Sequence, residues 1–257
     1  MMKLSLENFQ CGYDHWQTKK INLNLYPGEL VALVGKNGSG KSTFVKGMMA
    51  LLKSEGKKSL GDTDLSRKTT REMAKYISFM PQTFKVTYPI SVEEIILMGF
   101  NPDMGIFQNY SKTMKKEVRR ELEEFGLLEY LHRDFTTLSE GEKQKVRLIR
   151  SLIRETPVLL LDEPESTLDF MVRHEMMELV LAETKKRNCI SLLVIHDPNL
   201  ALRYADRIHL FKEGQVVSTI EVHQETKASM EEKMRQVYGD VELVEFSPGR
   251  VFVDKQN

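Results

Sequence analysis

No stretch of this chain approaches the roughly 18 to 20 apolar residues that a membrane-spanning helix needs; runs such as 158–161 and 190–195 are short and stop at charge. The N-terminal Met1-Met2-Lys3-Leu4-Ser5 also lacks the apolar stretch of a secretory signal. Cysteine is scarce. Cys11 and Cys189 stand far apart, match no metal-ligand spacing, and read as unpaired thiols in a reducing cytosol, Cys189 packed ahead of an apolar strand. Neither sign of charge is in surplus: 37 Lys plus Arg balance 37 Asp plus Glu, which excludes the global basic field of a nucleic-acid binder. Lys115, Lys116, Arg119 and Arg120 interleave with Glu117, Glu121, Glu123 and Glu124, the pattern of a solvated helix face laced by i,i+4 pairs, with a docking surface as the alternative. There is no internal repeat and no low-complexity tract. These absences leave a soluble cytosolic protein, and 257 residues suffice for one large α/β domain, or a core with a subdomain, without staples.

What is present is more specific. Gly35-Lys36-Asn37-Gly38-Ser39-Gly40-Lys41-Ser42-Thr43 fits the phosphate-binding loop G-x-x-x-x-G-K-[ST]. Gly38 and Gly40 lack Cβ atoms, so the loop can curl its N–H groups around a triphosphate, and the helix it opens adds its positive dipole end. Lys41 would reach the β- and γ-phosphates, Ser42 would ligate Mg²⁺, and Thr43 would lie near the α-phosphate. The context fits: 30–34 is an apolar run suited to a buried parallel strand, and 42–52 lacks proline and carries apolar residues at helical spacing. A glycine-rich turn that merely joined a strand to a helix would not explain the Lys and Ser that follow. The chain is expected to bind ATP or GTP.

The rest of the chain organises around this loop. Residues 3–9 and 19–25 alternate apolar with polar and suggest antiparallel strands beside the main sheet. Residues 53–68 are rich in Lys, Ser, Gly and Asp and read as exposed loop, and 76–80 as a second strand ended by Pro81-Gln82. From 84 to 155 the character is helical. Ser91-Val92-Glu93-Glu94 is a capping box, Ser111 can cap a helix to about Phe125 with Gly126 as its stop, and Ser139-Glu140-Gly141-Glu142 is a second capping box before a helix to Arg154. Strands at 158–161, 190–195 and 207–211 then alternate with helices at 171–186 and 199–205, which predicts a parallel sheet covered by helices. Met171, Met176, Met177 and Leu181 form an apolar stripe read as core. A helix over 225–237 and a hairpin over 241–253 around Ser247-Pro248-Gly249 close the chain.

Two further groups of residues belong at the same sheet edge. The strand at 158–161 ends in Asp162-Glu163-Pro164, and in open α/β sheets ligands sit at the carboxyl ends of strands. Asp162 would hold Mg²⁺ through its water shell, and Glu163 would accept a proton from water attacking the γ-phosphate. Taken alone, the run could be only a strand-ending turn; beside a phosphate loop it reads as chemistry. His196-Asp197 ends the next strand, where His196 is either a satisfied core residue or a donor to the γ-phosphate or the attacking water.

In order and spacing these motifs strongly resemble the ATP-binding subunit of ABC transporters over nearly the whole chain. The resemblance rests on the loop 35–43, Gln82, Leu138-Ser139-Glu140-Gly141-Glu142, Asp162-Glu163, Ser166-Thr167-Leu168-Asp169 and His196. It implies a P-loop NTPase (RecA-like) α/β core over 1–82 and 156–222, with N-terminal antiparallel strands, an inserted helical signature subdomain over 83–155, and a C-terminal helix and hairpin over 223–257. It also implies that two copies pair head to tail, each ATP lying between one copy's loop and the other's Ser139 and Gly141, with Asp169 in the same contact. Gly35, Asn37, Gly38, Ser39, Gly40, Lys41, Ser42 and Thr43 would hold the nucleotide, with Ser42, Asp162 and Gln82 around Mg²⁺. Glu163, His196, Gln82 and Lys41 would carry hydrolysis. Tyr13 sits where the family stacks an aromatic ring on adenine, with Trp16 as the alternative, and Gln82 would pass the nucleotide state to a transmembrane partner. The signature helix makes physical sense as a phosphate grip, because a capped N-terminus presents free N–H groups and a dipole.

Two departures stand out. Where the family usually has Leu-Ser-Gly-Gly-Gln, this chain has Glu140 and Glu142, and the two acids are expected to weaken ATP-driven closure and make it dependent on Mg²⁺ and salt. Glu165 replaces a frequent Thr, and the sequence offers no account of it.

Finer stretches look like the importers of iron-siderophore, haem or cobalamin complexes: Val92-Glu93-Glu94-Ile95-Ile96-Leu97-Met98-Gly99 before Asn101-Pro102, the run from His196-Asp197-Pro198-Asn199 to Arg207, and Val237-Tyr238-Gly239 in a short tail. The resemblance implies two transmembrane permease subunits, an external substrate-binding protein, and a seat on the inner face of the cell membrane, with no nucleic-acid partner. An export ATPase would differ in its permease. A mechanical ATPase acting on DNA or ribosomes usually has a long coiled-coil insertion or two ATPase units, and a nucleotide kinase would lack the signature, Gln82 and His196.

Overall fold

Apolar runs and capping residues account for most of the elements in the computed structural model, which describes residues 2–105, 108–246 and 249–254. The chain begins with β1 (Leu4–Tyr13), β2 (Trp16–Gln17) and β3 (Ile21–Leu25), then β4 (Leu30–Val34), α1 (Lys41–Met48), β5 (Lys53–Leu60), β6 (Thr63–Asp64), α2 (Thr70–Met73) and β7 (Ile77–Met80). The helices α3 (Val92–Leu97), α4 (Lys112–Glu124) and α5 (Glu140–Leu152) follow. The chain then returns through β8 (Val158–Asp162), α6 (Phe170–Arg187), β9 (Ile190–Ile195), α7 (Pro198–Tyr204), β10 (Arg207–Lys212) and β11 (Gln215–Glu221). It ends in α8 (Lys227–Tyr238), β12 (Val241–Phe246) and β13 (Gly249–Asp254). No described helix is long and apolar enough to cross a membrane.

The main sheet has the order β11-β10-β4-β9-β8-β7, with β10, β4, β9, β8 and β7 parallel and β11 antiparallel at its edge. Every residue of β4, β8 and β9 is buried, as a parallel sheet covered on both faces requires. Alternate side chains serve two cores. Val31, Leu33, Leu160 and Leu192 pack with α1 and the antiparallel sheet built on β1, and Ala32, Leu161 and Leu193 pack with residues of α5, α6, α7 and α8. Because Met80 pairs with Leu161, Asp162 with Val194 and Ile195 with Val34, the carboxyl ends of β7, β8, β9 and β4 finish level at one edge.

The three expected serine caps are present. Ser91 and Ser139 each form a capping box, with Glu94 and Glu142, and Ser111 caps α4. Between them Val92, Ile95, Val118, Leu122, Val146 and Ile149 form a core of their own. Helix α5 belongs to both structures, since its Leu148 and Leu152 pack on the main sheet.

The structure corrects two expectations. Residues 53–68 are not simply exposed loop: β5 and β6 lie there, β5 pairing along β1 from Leu4 opposite Leu60 to Gly12 opposite Lys53. Backbone pairing holds this strand, so its polar outer face does not betray it; its buried Lys58 donates to Met48 O at 2.7 Å and lies over the Phe9 ring. The apolar stripe of α6 is also only partly core. Met176 and Met177 are fully buried, but Met171 in the first turn is 66% exposed. The expected terminal hairpin is there as β12 and β13, with Ser247 and Pro248 outside the described residues.

Candidate nucleotide site

The loop after β4 takes its shape from residues that tolerate no side chain. A Cβ on Gly35 would lie 2.1 Å from the Phe211 carbonyl oxygen. Gly40, the N-cap of α1, has φ +101°, and a Cβ there would meet the Trp16 ring at 2.2 Å. Ser39 N donates to Lys36 O, and Ser39 O accepts from Gly214 N at 2.9 Å, which ties the loop to the β10–β11 turn. Lys41 is 5% exposed, and its ammonium donates to Gly35 O at 2.7 Å and Lys36 O at 3.2 Å. Burial lowers its pKa, while Glu163 and Asp162 act in the opposite direction. A cation is thus held inside the loop by two carbonyls, ready to serve an anionic ligand.

Beside it the Ser42 hydroxyl donates to Asp162 Oδ1 at 3.0 Å. Burial is the largest influence on the Asp162 carboxyl and raises its pKa; the Ser42 bond opposes that rise and Glu163 adds to it. The chain turns sharply at Glu163, whose φ of +52° lies in the left-handed region that non-glycine residues seldom occupy. Its N–H donates to Val194 O at 3.1 Å, and its buried carboxylate is bracketed on both oxygens. Gln82 Nε2 donates to Oε2 at 2.5 Å, and His196 Nε2 pairs with Oε1. Three strand ends therefore bring Gln82, Glu163 and His196 together, as their positions in the sequence anticipated.

These groups line a pocket of about 530 Å³ with Asn37, Gly38, Gly40, Thr43, Tyr13 and Trp16. Both aromatic candidates for adenine line it. His15, which the sequence reading passed over, does so too, its ring stacked on Tyr13 with centroids 5.9 Å apart and planes 17° apart. Its position between Tyr13 and Trp16 in the β1–β2 turn was the available signal. Gly35 and Ser39 shape the loop without lining the pocket; Ser39 Oγ is buried with no hydrogen-bond partner among the described residues.

Ser139, Gly141 and Asp169 are not among the residues that line this pocket. Asp169 caps α6, its Oδ1 accepting from Val172 N at 3.0 Å, and Gly141 packs so closely on that turn that a Cβ would lie 2.8 Å from Val172 Cγ1. At the start of α5 the Glu142 carboxylate accepts from Ser139 N at 2.7 Å and Ser139 Oγ at 2.8 Å. These bonds hold its pKa below the usual carboxylate range, the Ser139 hydroxyl having the largest effect. Glu140 pairs with Lys143 at 2.8 Å.

A divalent ion fits the oxygens present. Among the described residues no cluster of three or more His, Cys, Asp and Glu is arranged to hold a metal by itself. Ser42 and Asp162 offer a hydroxyl and a carboxylate side by side, the hard-oxygen pair to which Mg²⁺ adds phosphate oxygens and water.

A family profile described as ABC transporter matches residues 18–166. The chain belongs to the ABC transporter family. It is 32% identical to the iron(3+)-hydroxamate import ATP-binding protein FhuC of Bacillus subtilis (strain 168), over 84% of this chain and 81% of that protein. It is 31% identical to the hemin import ATP-binding protein HmuV of Vibrio cholerae, over 90% and 89% of the two chains. A solved inward-facing structure of a metal-chelate type ABC transporter shares the fold, with TM-score 0.80 over 98% of this chain and 97% of that one at 22% identity. As an ABC transporter ATPase subunit, the chain is a nucleotide-binding protein.

Proposed function

We propose that this ABC transporter ATPase energises import of an iron-siderophore, haem or cobalamin-type complex, and that it works as a pair of copies on two transmembrane permease subunits at the cytoplasmic face of the cell membrane. An external binding protein would deliver the cargo. The observation that carries the hydrolytic part is the Glu163 carboxylate, buried between Gln82 and His196 and beside Lys41 and the Ser42–Asp162 pair. The cargo class is supported by the relatives named for hydroxamate-iron and hemin import.

In this reading Lys41 and the loop N–H groups hold the β- and γ-phosphates of ATP, and Tyr13, with Trp16 and His15 beside it, takes the adenine. Ser42, Asp162 and Gln82 would hold Mg²⁺, which when bound supplies positive charge beside the phosphates. Glu163 accepts the proton of the attacking water, and His196 donates to the γ-phosphate. Ser139 and Gly141 of one copy close on the triphosphate of the other, with Asp169 in the contact, and this gives a reason for a phosphate-gripping helix start placed away from its own chain's pocket. Gln82, at the junction of β7 with the helical region, reports the nucleotide state to the permease. The balanced charge supplies no global basic field of the kind that serves a nucleic-acid partner.

Cells lacking this chain should lose uptake of one labelled ferric hydroxamate, haem or cobalamin and regain it with the parental chain but not with the Glu163→Gln chain. Normal uptake of all three would overturn the cargo assignment.

The Glu142 geometry sharpens the expectation for the signature. Its carboxylate occupies the N–H and hydroxyl of Ser139 that the partner's phosphate would need, and it adds like charge. Glu142→Gln should lower the ATP concentration for half-maximal turnover by roughly threefold to tenfold and flatten its salt dependence. A turnover titration at two salt concentrations checks this, and unchanged values would contradict it.

A further inference from the structure

The loop between β8 and α6 buries an acid that the reaction described above does not use. Glu165 is 3% exposed, and its Oε2 has no hydrogen-bond partner among the described residues. Leaving a buried carboxyl oxygen unpaired costs stability that a small hydroxyl or apolar side chain would not cost. The rest of its surroundings tie it to the hydrolytic groups. Its own N–H and the backbone N–H of His196 lie close enough to its carboxyl to favour the charged form, and it faces the charge of Glu163. Its carbonyl accepts from Leu168 N at 3.1 Å, while Ser166 N and Ser166 Oγ both donate to Glu163 O.

A second unpaired group lies across the same loop. Arg173, in the second turn of α6, sends Nη2 to Leu168 O at 3.4 Å, and its Nε is buried without a partner among the described residues. An acid and a guanidinium, each with an unsatisfied atom, therefore flank the segment 166–169 that links Glu163 to Asp169. The charged groups that act on Glu165 are Glu163 at the end of β8 and Arg173 on α6; from the end of β9 it is the His196 backbone that faces it, the imidazole being paired with Glu163.

We propose that Glu165 is a positioning residue: in its ionised form it draws the His196 backbone and Arg173 onto the loop that carries Glu163, and protonation loosens that grip and slows hydrolysis. This rests on the reading of Glu163 and His196 as the hydrolytic pair. The proton is available at physiological pH, because burial pushes the Glu165 carboxyl up to about 7, with the charge of Glu163 adding to the rise and the two N–H groups and Arg173 opposing it. Above that pH the carboxylate makes charge-assisted bonds; below it the neutral acid makes weaker ones.

The test is steady-state ATP hydrolysis by the complex purified through the full-length tagged chain, at saturating MgATP, between about pH 6 and about pH 8.5. The parental rate should rise roughly threefold to tenfold through an ionisation near neutrality. Glu165→Gln, which fixes a neutral side chain of the same shape, should lack that ionisation and stay near the parental acid-side rate, with a thermal midpoint no lower than the parental one. Should the Gln variant not fold, Glu165→Thr gives the same comparison with a smaller neutral side chain. Superimposable pH profiles, or an ionisation that persists without the carboxyl, would overturn the proposal. The parallel Glu163→Gln measurement separates the two readings: a parental rate there removes the base assignment, whereas a lost rate there with superimposed Glu165 profiles removes only the role of Glu165.

Discussion

Glu163→Gln should cut ATP turnover by roughly a thousandfold while leaving ATP binding intact, the size of effect that removal of a positioned general base produces. The carboxylate is buried, it is fixed on both oxygens by Gln82 and His196, and the left-handed backbone turn at residue 163 brings it to the pocket wall. An amide matches its shape and can still bond to both neighbours, but it cannot take a proton from water. Lys41 and the phosphate loop are untouched, so affinity is retained and the bound triphosphate persists. Single-turnover cleavage of labelled ATP measures the step directly. A rate within a few fold of the parental one would mean that another group removes the proton.

Lys41→Ala should weaken ATP binding by roughly a hundredfold or more, in line with charged hydrogen bonds worth about 1.5–3 kcal/mol each. The ammonium is nearly inaccessible and held by Gly35 O and Lys36 O, so neither solvent nor a neighbouring cation can replace it. The chain provides its own probe, because its single Trp, Trp16, lines the pocket. Titrating ATP against Trp16 fluorescence should give a saturable change in the parental chain and a curve shifted by that factor in the variant. Unaltered affinity would place the phosphates elsewhere.

Much of the architecture was legible because sequence and packing demand the same residues. The wholly apolar runs of β4, β8 and β9 suit a covered parallel sheet, and Ser91, Ser111 and Ser139 announce their helices through bonds made within one turn. The site was legible for a related reason: Gln82, Glu163 and His196 all end strands of one parallel sheet, so topology alone aligns them. What escaped was decided by distant partners. The polar strand β5 exists because β1 pairs with it, and Met171 is exposed because nothing among the described residues covers it in the first turn of α6. Glu165 had no reading until its buried carboxyl, with one oxygen unpartnered among the described residues, was seen near His196 and Arg173.

The most direct test of the central claim is the composition of the complex that comes with the tagged Glu163→Gln chain when it is purified from its native membranes in MgATP. The account predicts two copies of this chain with retained ATP and an equal amount of a many-helix permease, and the bound or transported chelate would name the cargo. Recovery of the chain with ribosomes or nucleic acid, or with no membrane partner at all, would contradict it.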